Sequence, residues 1–302
     1  MNGVIIIDKP AGFTSFDVIA VVRKLTGQRK TGHTGTLDPN ATGVLPVLLG
    51  AATKAQDLIV NHDKRYIAEF RLGMTTDTLD IWGEVTGKSG KTAKAENITA
   101  LLPRFTGEIE QIPPMYSAVQ KNGQRLYDLA RKGIEVERES RRVTVYHLRL
   151  DSFDKETQTG ILDISCSKGT YVRTIIDDLG KALGTGAVMT ALRRVEACGY
   201  SLSDCVTLDE LRRLCDCGEA ENTLRPVESL FTSYPALEIS PMQAKRFSNG
   251  GALDLMRTAL RDKDISDGSI FRVKEKAGGF LGLGITDKET NLLKIYKLFN
   301  TN

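Results

Sequence analysis

Apolar residues recur in this chain with spacings that predict β-strands and α-helices. Residues 3–7 form a β-branched run that stops at Asp8-Lys9-Pro10, which is typical of a buried strand. Residues 64–72 alternate between apolar and polar side chains, the period of a strand with one buried face. Residues 161–166 also predict a strand, and residues 44–49 form an apolar run that belongs to the core.

Two segments carry apolar side chains at helical spacing and end at a glycine. The first helix is expected to begin with Ser15 as its cap and to end at Gly27. The second has an apolar stripe over residues 172–183 and ends at Gly184. A Thr-x-x-Glu capping box at Thr207 predicts a further helix.

From about residue 236 the pattern changes to that of a small β-rich module. A helix capped by Ser240 is followed by three strand-like runs, at residues 269–274, 280–285 and 292–299, with turn-forming residues between them. Residues 222–235 have the character of a linker. The chain is therefore predicted to have a large domain of residues 1–235 and a small one of residues 236–302.

The composition permits two domains, and the net charge gives little indication of whether the chain binds nucleic acid. At 302 residues and 41% hydrophobic content, the chain can bury about 75% of its unfolded surface. The formal net charge of +3, from 41 basic and 38 acidic residues, does not by itself indicate a nucleic-acid-binding protein. Residues 121–149 are more basic, with eight basic and four acidic side chains. This segment is either a binding surface or a solvated face of mixed charge.

Cysteine usage and hydropathy indicate the compartment. Five cysteines without a CxxC pair, and only three histidines, argue against a zinc site, and we expect no metal. Cys215 and Cys217 could chelate a metal or oxidise, but free thiols in a reducing cytosol explain them better. The apolar run at residues 4–7 is too short for a signal peptide, and no other run approaches the length of a membrane span. We expect a cytoplasmic protein that does not bind membranes.

The segment most informative about chemistry is residues 30–43, KTGHTGTLDPNATG. Its glycines and proline exclude a helix or strand, so we predict a loop held between core elements, where catalytic side chains commonly lie. Asp38 is its one carboxylate. An aspartate before a proline ordinarily begins a turn, but the neighbouring glycines would also let a ligand approach the backbone. The segment lacks the GxxxxGK[ST] pattern of nucleotide-binding loops.

Residues 32–45, GHTGTLDPNATGVL, resemble the catalytic signature of the TruB family of tRNA pseudouridine synthases. Three further segments resemble the family's other motifs in order: residues 64–80, residues 165–174 and residues 190–195. This resemblance covers roughly residues 3–200. Residues 236–302 are similar to a PUA domain, a small RNA-binding barrel, in composition and order of elements, whereas residues 200–235 match no motif.

The resemblance implies a fold and a domain plan. The fold would be an α+β pseudouridine synthase fold, in which helices and loops flank a central mixed, mostly antiparallel sheet, followed by a small C-terminal PUA-like β-barrel. Residues 1–235 would form the catalytic domain, with an RNA-gripping insertion at about residues 112–146. Residues 236–302 would be the PUA-like RNA-binding domain.

The resemblance also implies roles for eight side chains. Three would be catalytic: Arg173 would pair with Asp38, and Tyr66 would line the pocket of the target base. Leu192 would pack beneath that base, and His33 would fill the space the base leaves when it flips. The full set of implied substrate-binding residues is His33, Leu192, Lys9, Thr36 and Tyr171.

From the residues alone, several of these positions have plainer explanations. Tyr66 is equally a packing residue of a strand. An exposed lysine at the end of a strand is an equally good explanation of Lys9. Leu192 would be assigned to the core.

The activity that the resemblance implies is conversion of the T-loop uridine at position 55 of tRNA to pseudouridine. The reaction breaks the N1–C1′ bond, joins C5 to C1′ and removes the C5 proton, so we expect no cofactor. A carboxylate suits it because cleavage develops positive charge on the sugar, and Asp38 could attack the sugar, attack the base or take a sugar proton. We expect Arg173 to lower the pKa of Asp38. Tyr66 would stack on the base, because a phenol with a pKa of about 10 is a poor base at neutral pH.

The implied partner is tRNA, bound through its T-arm, and we expect a monomer without an obligate protein partner. Two alternatives remain: a non-catalytic RNA-binding or tRNA-folding protein on the same scaffold, and a related isomerase that takes its target from a guide RNA in a multi-protein particle. The intact set of Asp38, Tyr66, Arg173 and Leu192 argues against the first. The ending at Asn302 without basic low-complexity tails argues against the second.

Overall fold

The structure is a computed structural model that describes residues 1–261, 263–276 and 278–299. Strands dominate it. In chain order they are β1 (Gly3–Lys9), β2 (Thr31–His33), β3 (Thr42–Leu49), β4 (Lys64–Leu72), β5 (Met74–Thr76), β6 (Val85–Lys88), β7 (Gly107–Gln111), β8 (Gln120–Lys121), β9 (Gln124–Arg125), β10 (Arg141–Asp154), β11 (Thr159–Cys166), β12 (Ala187–Ala197), β13 (Tyr200–Ser201), β14 (Ala236–Ile239), β15 (Leu253–Asp254), β16 (Ile270–Glu275), β17 (Phe280–Asp287) and β18 (Leu292–Leu298).

Helices are fewer. The α-helices are α1 (Ser15–Thr26), α2 (Ala95–Leu101), α3 (Leu126–Ala130), α4 (Val172–Leu183), α5 (Leu208–Asp216) and α6 (Pro241–Ser248). Short 3-10 helices span Gly50–Ala55, Leu102–Phe105, Leu202–Asp204, Ala220–Thr223, Val227–Phe231 and Leu255–Arg257. In the described ranges no helix combines the length and the apolar character needed to cross a membrane.

The central sheet has nine strands, in the order β1-β3-β12-β4-β11-β10-β7, with β2 beside β3 and β13 beside β12. Its strand pairs are antiparallel except for β3 and β12, which run parallel. The predicted mixed, mostly antiparallel sheet is therefore confirmed. Strand β4 lies near its middle and buries Tyr66, Ala68, Phe70 and Leu72 on one face, as the alternation predicted.

The apolar run at residues 44–49 is explained by cover on both faces of β3. Leu45 and Val47 pack with α1, whereas Val44 and Leu48 pack with a cluster that contains Phe231. A strand covered on both sides has no solvated face, so its sequence is continuously apolar instead of alternating.

Helix α1 begins one residue earlier than expected. Thr14, not Ser15, is its cap: the Thr14 hydroxyl accepts the N–H of Asp17, and the Asp17 carboxylate accepts the N–H of Thr14. The prediction of Ser15 as cap was wrong, because Ser15 already belongs to the helix and is buried. Gly27 ends the helix at a φ of 65°, in the left-handed region that glycine tolerates.

A second sheet of five strands follows, in the order β14-β16-β17-β18-β15. The three predicted runs are β16, β17 and β18, whereas the short strands β14 and β15 were not predicted. This sheet, with α6, fits the expected PUA-like module; residues 300–302 of the predicted domain lie outside the described residues. Phe280 and Phe299 pack against Phe231, and Arg272 Nη1 lies 2.8 Å from Glu228 Oε1, which joins the module to the rest of the chain.

Residues 112–140 leave the central sheet. They include the hairpin β8–β9 and helix α3, and Lys121 Nζ donates to the carbonyl of Glu137 at 2.6 Å. Residues 141–146, which we included in the expected insertion, lie instead in β10, and residues 141–145 pair with β7.

Candidate active site

The loop that contains Asp38 is shorter than residues 30–43. Strand β2 takes residues 31–33 and pairs with one end of β3, and β3 itself begins at Thr42, so the prediction of a loop throughout was wrong at both ends. Residues 34–41 are the loop proper. The loop begins after β2, which pairs with β3, and it ends where β3 begins, so both of its ends are fixed to β3.

Backbone anchors hold the residues on both sides of Asp38. The N–H of Leu37 donates to Ser15 Oγ at 2.9 Å, and the carbonyl of Pro39 accepts from the N–H of Gly12 at 3.0 Å. The hydroxyl of Ser15, freed from capping, thus supports the loop. With both neighbours fixed, the backbone of Asp38 has little freedom to move.

Lys9 is a third anchor of this loop. Its side chain is fully buried, and its ammonium donates to the carbonyls of Pro39 at 2.9 Å, Phe13 at 2.5 Å and Pro10 at 2.8 Å. Burial lowers the pKa of Lys9 to about 8 and Arg194 adds to the fall, whereas the carboxylates of Asp38 and Asp17 oppose it. Lys9 is not among the residues that line the pocket described below, and its contacts are with the backbone of the loop.

Arg194 is a buried cation that the sequence reasoning missed. It has no exposed surface, and it donates to the carbonyls of Val44 at 2.7 Å and Gly35 at 3.1 Å. Gly43 lets the backbone of β12 come close at the same residue: its φ is 105°, and a Cβ there would lie 2.1 Å from the backbone carbonyl oxygen of Arg194. The sequence contained one indication that Arg194 lies near the site: Arg194 comes two residues after Leu192 and is therefore on the same face of β12.

Arg173 reaches Asp38 from the first turn of α4. Its side chain is 7% exposed, and its Nη2 lies 3.1 Å from Asp38 Oδ2. The same guanidinium donates to the carbonyls of Thr78 at 3.0 Å and Tyr116 at 2.9 Å. The structure therefore brings together the two residues that the resemblance paired, although residues 38 and 173 are far apart in the chain.

A second carboxylate, which we did not predict, also faces Arg173. Asp80 Oδ2 lies 3.6 Å from Arg173 Nη1, and Asp80 Oδ1 accepts from the hydroxyl of Thr78 at 2.7 Å. Its motif, Thr76 to Asp80, was recognised, but its contact with the guanidinium depends on the fold. The arginine thus holds two carboxylates; no group of metal-ligating side chains is found over the described ranges.

The pKa of Asp38 moves in the direction opposite to our expectation. Burial raises it, and Asp80 adds to the rise, while Arg173 and Lys9 oppose it. Part of the Asp38 side chain, 39%, remains exposed, and Asp38 lines the pocket described below. Arg173 therefore limits the rise of the Asp38 pKa but does not bring this pKa below its ordinary value. Asp38 is a poorly hydrated carboxylate.

Asp38 lines a cavity of about 430 Å³, a size typical of small-molecule pockets. Among the predicted residues, Thr36, Tyr66, Tyr171, Arg173 and Leu192 line it as well. Tyr66 and Leu192 are almost fully buried and provide an apolar wall, whereas Thr36 is exposed at the edge. The cavity joins an ionic group to a flat apolar surface, which suits a ligand with a planar ring and a polar sugar.

Tyr66 is less suited to accept a proton than an ordinary tyrosine. Its side chain is buried, and burial raises its pKa to about 12, although Arg194 opposes the shift. A phenol with this pKa is protonated at neutral pH. Tyr66 is therefore equipped to pack on a ring and to donate a hydrogen bond.

His33 does not line the cavity. It ends β2 and is followed directly by Thr34, which does line it. Its Nδ1 is buried and has no hydrogen-bond partner in the described part of the chain, and burial lowers its pKa. The structure thus places a neutral imidazole next to the pocket.

Two family models match the chain. Residues 23–172 match the TruB family pseudouridylate synthase N-terminal domain, and residues 173–232 match the tRNA pseudouridylate synthase B C-terminal domain. The similar proteins include the tRNA pseudouridine synthase B of Dechloromonas aromatica, 43% identical over 93% of each chain. The tRNA pseudouridine synthase B of Clostridium kluyveri is 39% identical over 98% of this chain and 100% of its own.

Solved structures with the same fold include a Cbf5-Nop10-Gar1 complex. One of its chains superposes with a TM-score of 0.74 at 26% identity, over 99% of this chain and 85% of that one. A chain of an H/ACA RNP bound to a substrate RNA containing 2′-deoxyuridine has the same TM-score at 23% identity, over 99% of this chain and 85% of its own. These similarities extend over both sheets of the present structure.

Proposed function

Since the chain belongs to the TruB family of pseudouridylate synthases, we propose that it converts the T-loop uridine of tRNA at position 55 into pseudouridine, with Asp38 as the reacting carboxylate. The observation that carries the proposal is the Asp38–Arg173 ion pair on the wall of a pocket that also presents Tyr66 and Leu192. The relatives are named as synthases, and no comparison favours the non-catalytic alternative.

The reaction is an isomerisation whose atoms balance without a co-reactant. The N1–C1′ bond breaks, the base turns, C5 bonds to C1′, the C5 proton leaves and N1 gains a proton. Positive charge develops on the sugar as the glycosidic bond breaks, and a carboxylate stabilises or traps it. Asp38 would react in one of three ways: by attack on the sugar, by attack on the base or by removal of a sugar proton.

Arg173 would hold Asp38 in place and favour its ionised form. Two carboxylates, those of Asp38 and Asp80, and two backbone carbonyls constrain the guanidinium. A carboxylate that is poorly hydrated but still charged is more reactive than one in water, because it loses less solvation when it reacts. The ion pair thus supplies both position and reactivity.

The pocket requires a nucleotide that has left its stack. A base inside the T-loop is out of reach, and flipping it costs roughly a few kcal/mol. Packing of the base against Tyr66 and Leu192 would offset part of this cost, as would insertion of His33 into the vacated space. The neutral imidazole of His33 suits such a stacking role.

Other parts of the chain would bind the remainder of the tRNA. Residues 236–302 would act as a PUA-like RNA-binding domain beside a catalytic domain of residues 1–235. The basic segment within residues 112–140 would grip the T-arm through phosphate contacts and stacking. All the side chains proposed to act on the uridine line one pocket of this chain or lie beside it, so we propose that the enzyme acts as a monomer. Its tRNA substrate and five free cysteines support action in the cytoplasm.

The test uses purified protein and an unmodified tRNA transcript alone. Pseudouridine is mapped by carbodiimide adducts and primer extension, because the isomer has the same mass as uridine. The wild type should modify one T-loop position, and Asp38→Asn should bind the transcript with unchanged affinity but give no product. Full activity of Asp38→Asn would remove this residue from the mechanism, and no product from the wild type would contradict the proposed function.

A further inference from the structure

A second group of charged side chains lines the same pocket, apart from the Asp38–Arg173 pair. We call it the cationic corner; it consists of His62, Lys64 and Lys168, all of which line the cavity. Both lysines act electrostatically on His62, so the three lie close together. The side chain of Lys64 passes near Gly35, since a Cβ on Gly35 would lie 3.3 Å from Lys64 Cε.

The cationic corner has hydrogen-bond donors to spare. The Lys64 ammonium can donate three hydrogen bonds but donates one, to the carbonyl of His62 at 2.6 Å. Lys168 is exposed, and in the described part of the chain it has neither a hydrogen bond nor an ion pair through its ammonium. Arg173, in contrast, is occupied by two carboxylates and two carbonyls. Unused positive charge in this pocket is thus concentrated in the corner.

We propose that the cationic corner binds a backbone phosphate next to the flipped uridine; this proposal rests on the proposed function. Proteins fix the register of a nucleic acid chiefly through such phosphate contacts. A nucleotide whose base enters the pocket brings its flanking phosphates to the pocket wall. The lysines would hold one of these phosphates and so place the C1′ atom against Asp38.

His62 makes this subsite sensitive to pH. Burial lowers the pKa of His62, and so do Lys168 and Lys64, whereas Asp63 raises it. The hydroxyl of Tyr146 donates a hydrogen bond to Asp63 at 3.1 Å, and Asp57 lines the same cavity. A bound phosphate adds negative charge, which favours the imidazolium, so binding is coupled to proton uptake. The sign follows: because the pKa of free His62 lies below its ordinary value, tRNA affinity should strengthen as the pH falls into the acidic range and weaken as it rises again.

The first experiment measures binding in the absence of turnover. Asp38→Asn protein, alone or with Lys64→Met or Lys168→Met, is titrated with the tRNA transcript at several salt concentrations. Each lysine change should weaken binding about tenfold, the loss expected for one hydrogen bond to a charged group. Each should also reduce the slope of log affinity against log salt by about 0.7–0.9, the value for one phosphate contact.

Two matched variants control this experiment. Lys155→Met removes an exposed lysine that does not line the pocket, and it should leave affinity and slope unchanged. Lys64→Arg keeps the charge and should retain most of the affinity, and thermal unfolding checks that Lys64→Met is folded. Wild-type affinity and salt slope in both folded lysine variants would overturn the proposal.

A second experiment identifies the phosphate. T-arm hairpins carry one neutral methylphosphonate, placed 5′ or 3′ of the target uridine, with a 2′-deoxy ribose before the linkage to keep it stable. Hairpins with the same deoxy ribose and an ordinary phosphate are the reference. The effect of Lys64→Met should disappear with one of the two neutral hairpins. If it persists with both, Lys64 does not bind either flanking phosphate.

The pH dependence gives a third readout. His62→Gln in the Asp38→Asn background should flatten the rise of tRNA affinity at acidic pH; an unchanged dependence would remove His62 from the subsite. These outcomes are independent of the proposed function. Absence of pseudouridine from the wild type would refute the function while leaving the binding results in force, and unaltered binding in the lysine variants would refute only the subsite.

Discussion

Replacement of Arg173 by methionine tests the central ion pair most directly. The methionine side chain fills much of the space of the arginine stem but offers no donor. It leaves the carbonyls of Thr78 and Tyr116 without their charged donor and removes the cation from between Asp38 and Asp80. Both stability and turnover should therefore fall.

The loss of stability can be worked from these contacts. A hydrogen bond to a charged group contributes about 1.5–3 kcal/mol, so the two carbonyl contacts together account for about 3–6 kcal/mol of unfolding free energy. This agrees with about 3–5 kcal/mol for removal of one partner from a buried ion pair. Asp38 adds little to stability, because 39% of its side chain is exposed. The expected loss is a large part of the about 5–15 kcal/mol typical of a domain.

Urea unfolding of the wild type, Arg173→Met and Arg173→Lys measures this loss, and single-turnover assays on tRNA measure the chemistry. Arg173→Lys keeps the charge but cannot span four oxygens, so it should lie between the other two in stability. A displacement of Asp38 by about 1 Å should cost about 10²-fold in rate. Should Arg173→Met unfold within about 1 kcal/mol of the wild type, the view of Arg173 as the organising cation would be refuted.

Three further predictions concern the same pocket. The single-turnover rate should decline at low pH as Asp38 becomes protonated, and in Arg173→Met this decline should begin at higher pH, because the guanidinium opposes the upward shift of the Asp38 pKa; an unchanged profile would contradict this. Tyr66→Phe should keep tRNA binding but lose turnover, as filter binding and adduct mapping would show, whereas normal turnover would reduce Tyr66 to packing. Ser15→Ala should leave the N–H of Leu37 without its acceptor, at a cost of about 1–3 kcal/mol in urea unfolding. It should also lower kcat more than it raises KM, and an unaltered kcat would separate the anchor from catalysis.

Several features of the fold were readable from local patterns. The alternation over residues 64–72 specified which face of β4 is buried, because side chains two apart in a strand share a face. Gly27 and Gly184 marked the ends of α1 and α4, because few other residues adopt a positive φ easily. These predictions succeeded because neighbours in sequence determine them.

Local reasoning failed where one residue had two competing uses. Ser15 and Thr14 are both good caps, and the choice between them depended on Leu37, which needs the hydroxyl of Ser15. Residues 31–33 contain glycine and were assigned to a loop, but they pair with β3 and so form a strand. In each case a partner distant in sequence decided the outcome.

The sequence by itself determined the identity of Asp38, Tyr66, Arg173 and Leu192 as candidates, because each lies in a recognisable motif. Only the tertiary structure decided how they act. It surrounded Asp38 with protein, so that burial raises its pKa in spite of Arg173, and it brought Asp80 and the cationic corner to the same pocket. The physical reason is that solvation and Coulomb energy depend on distances in space, which strand order and loop anchors set, whereas a motif records only order along the chain.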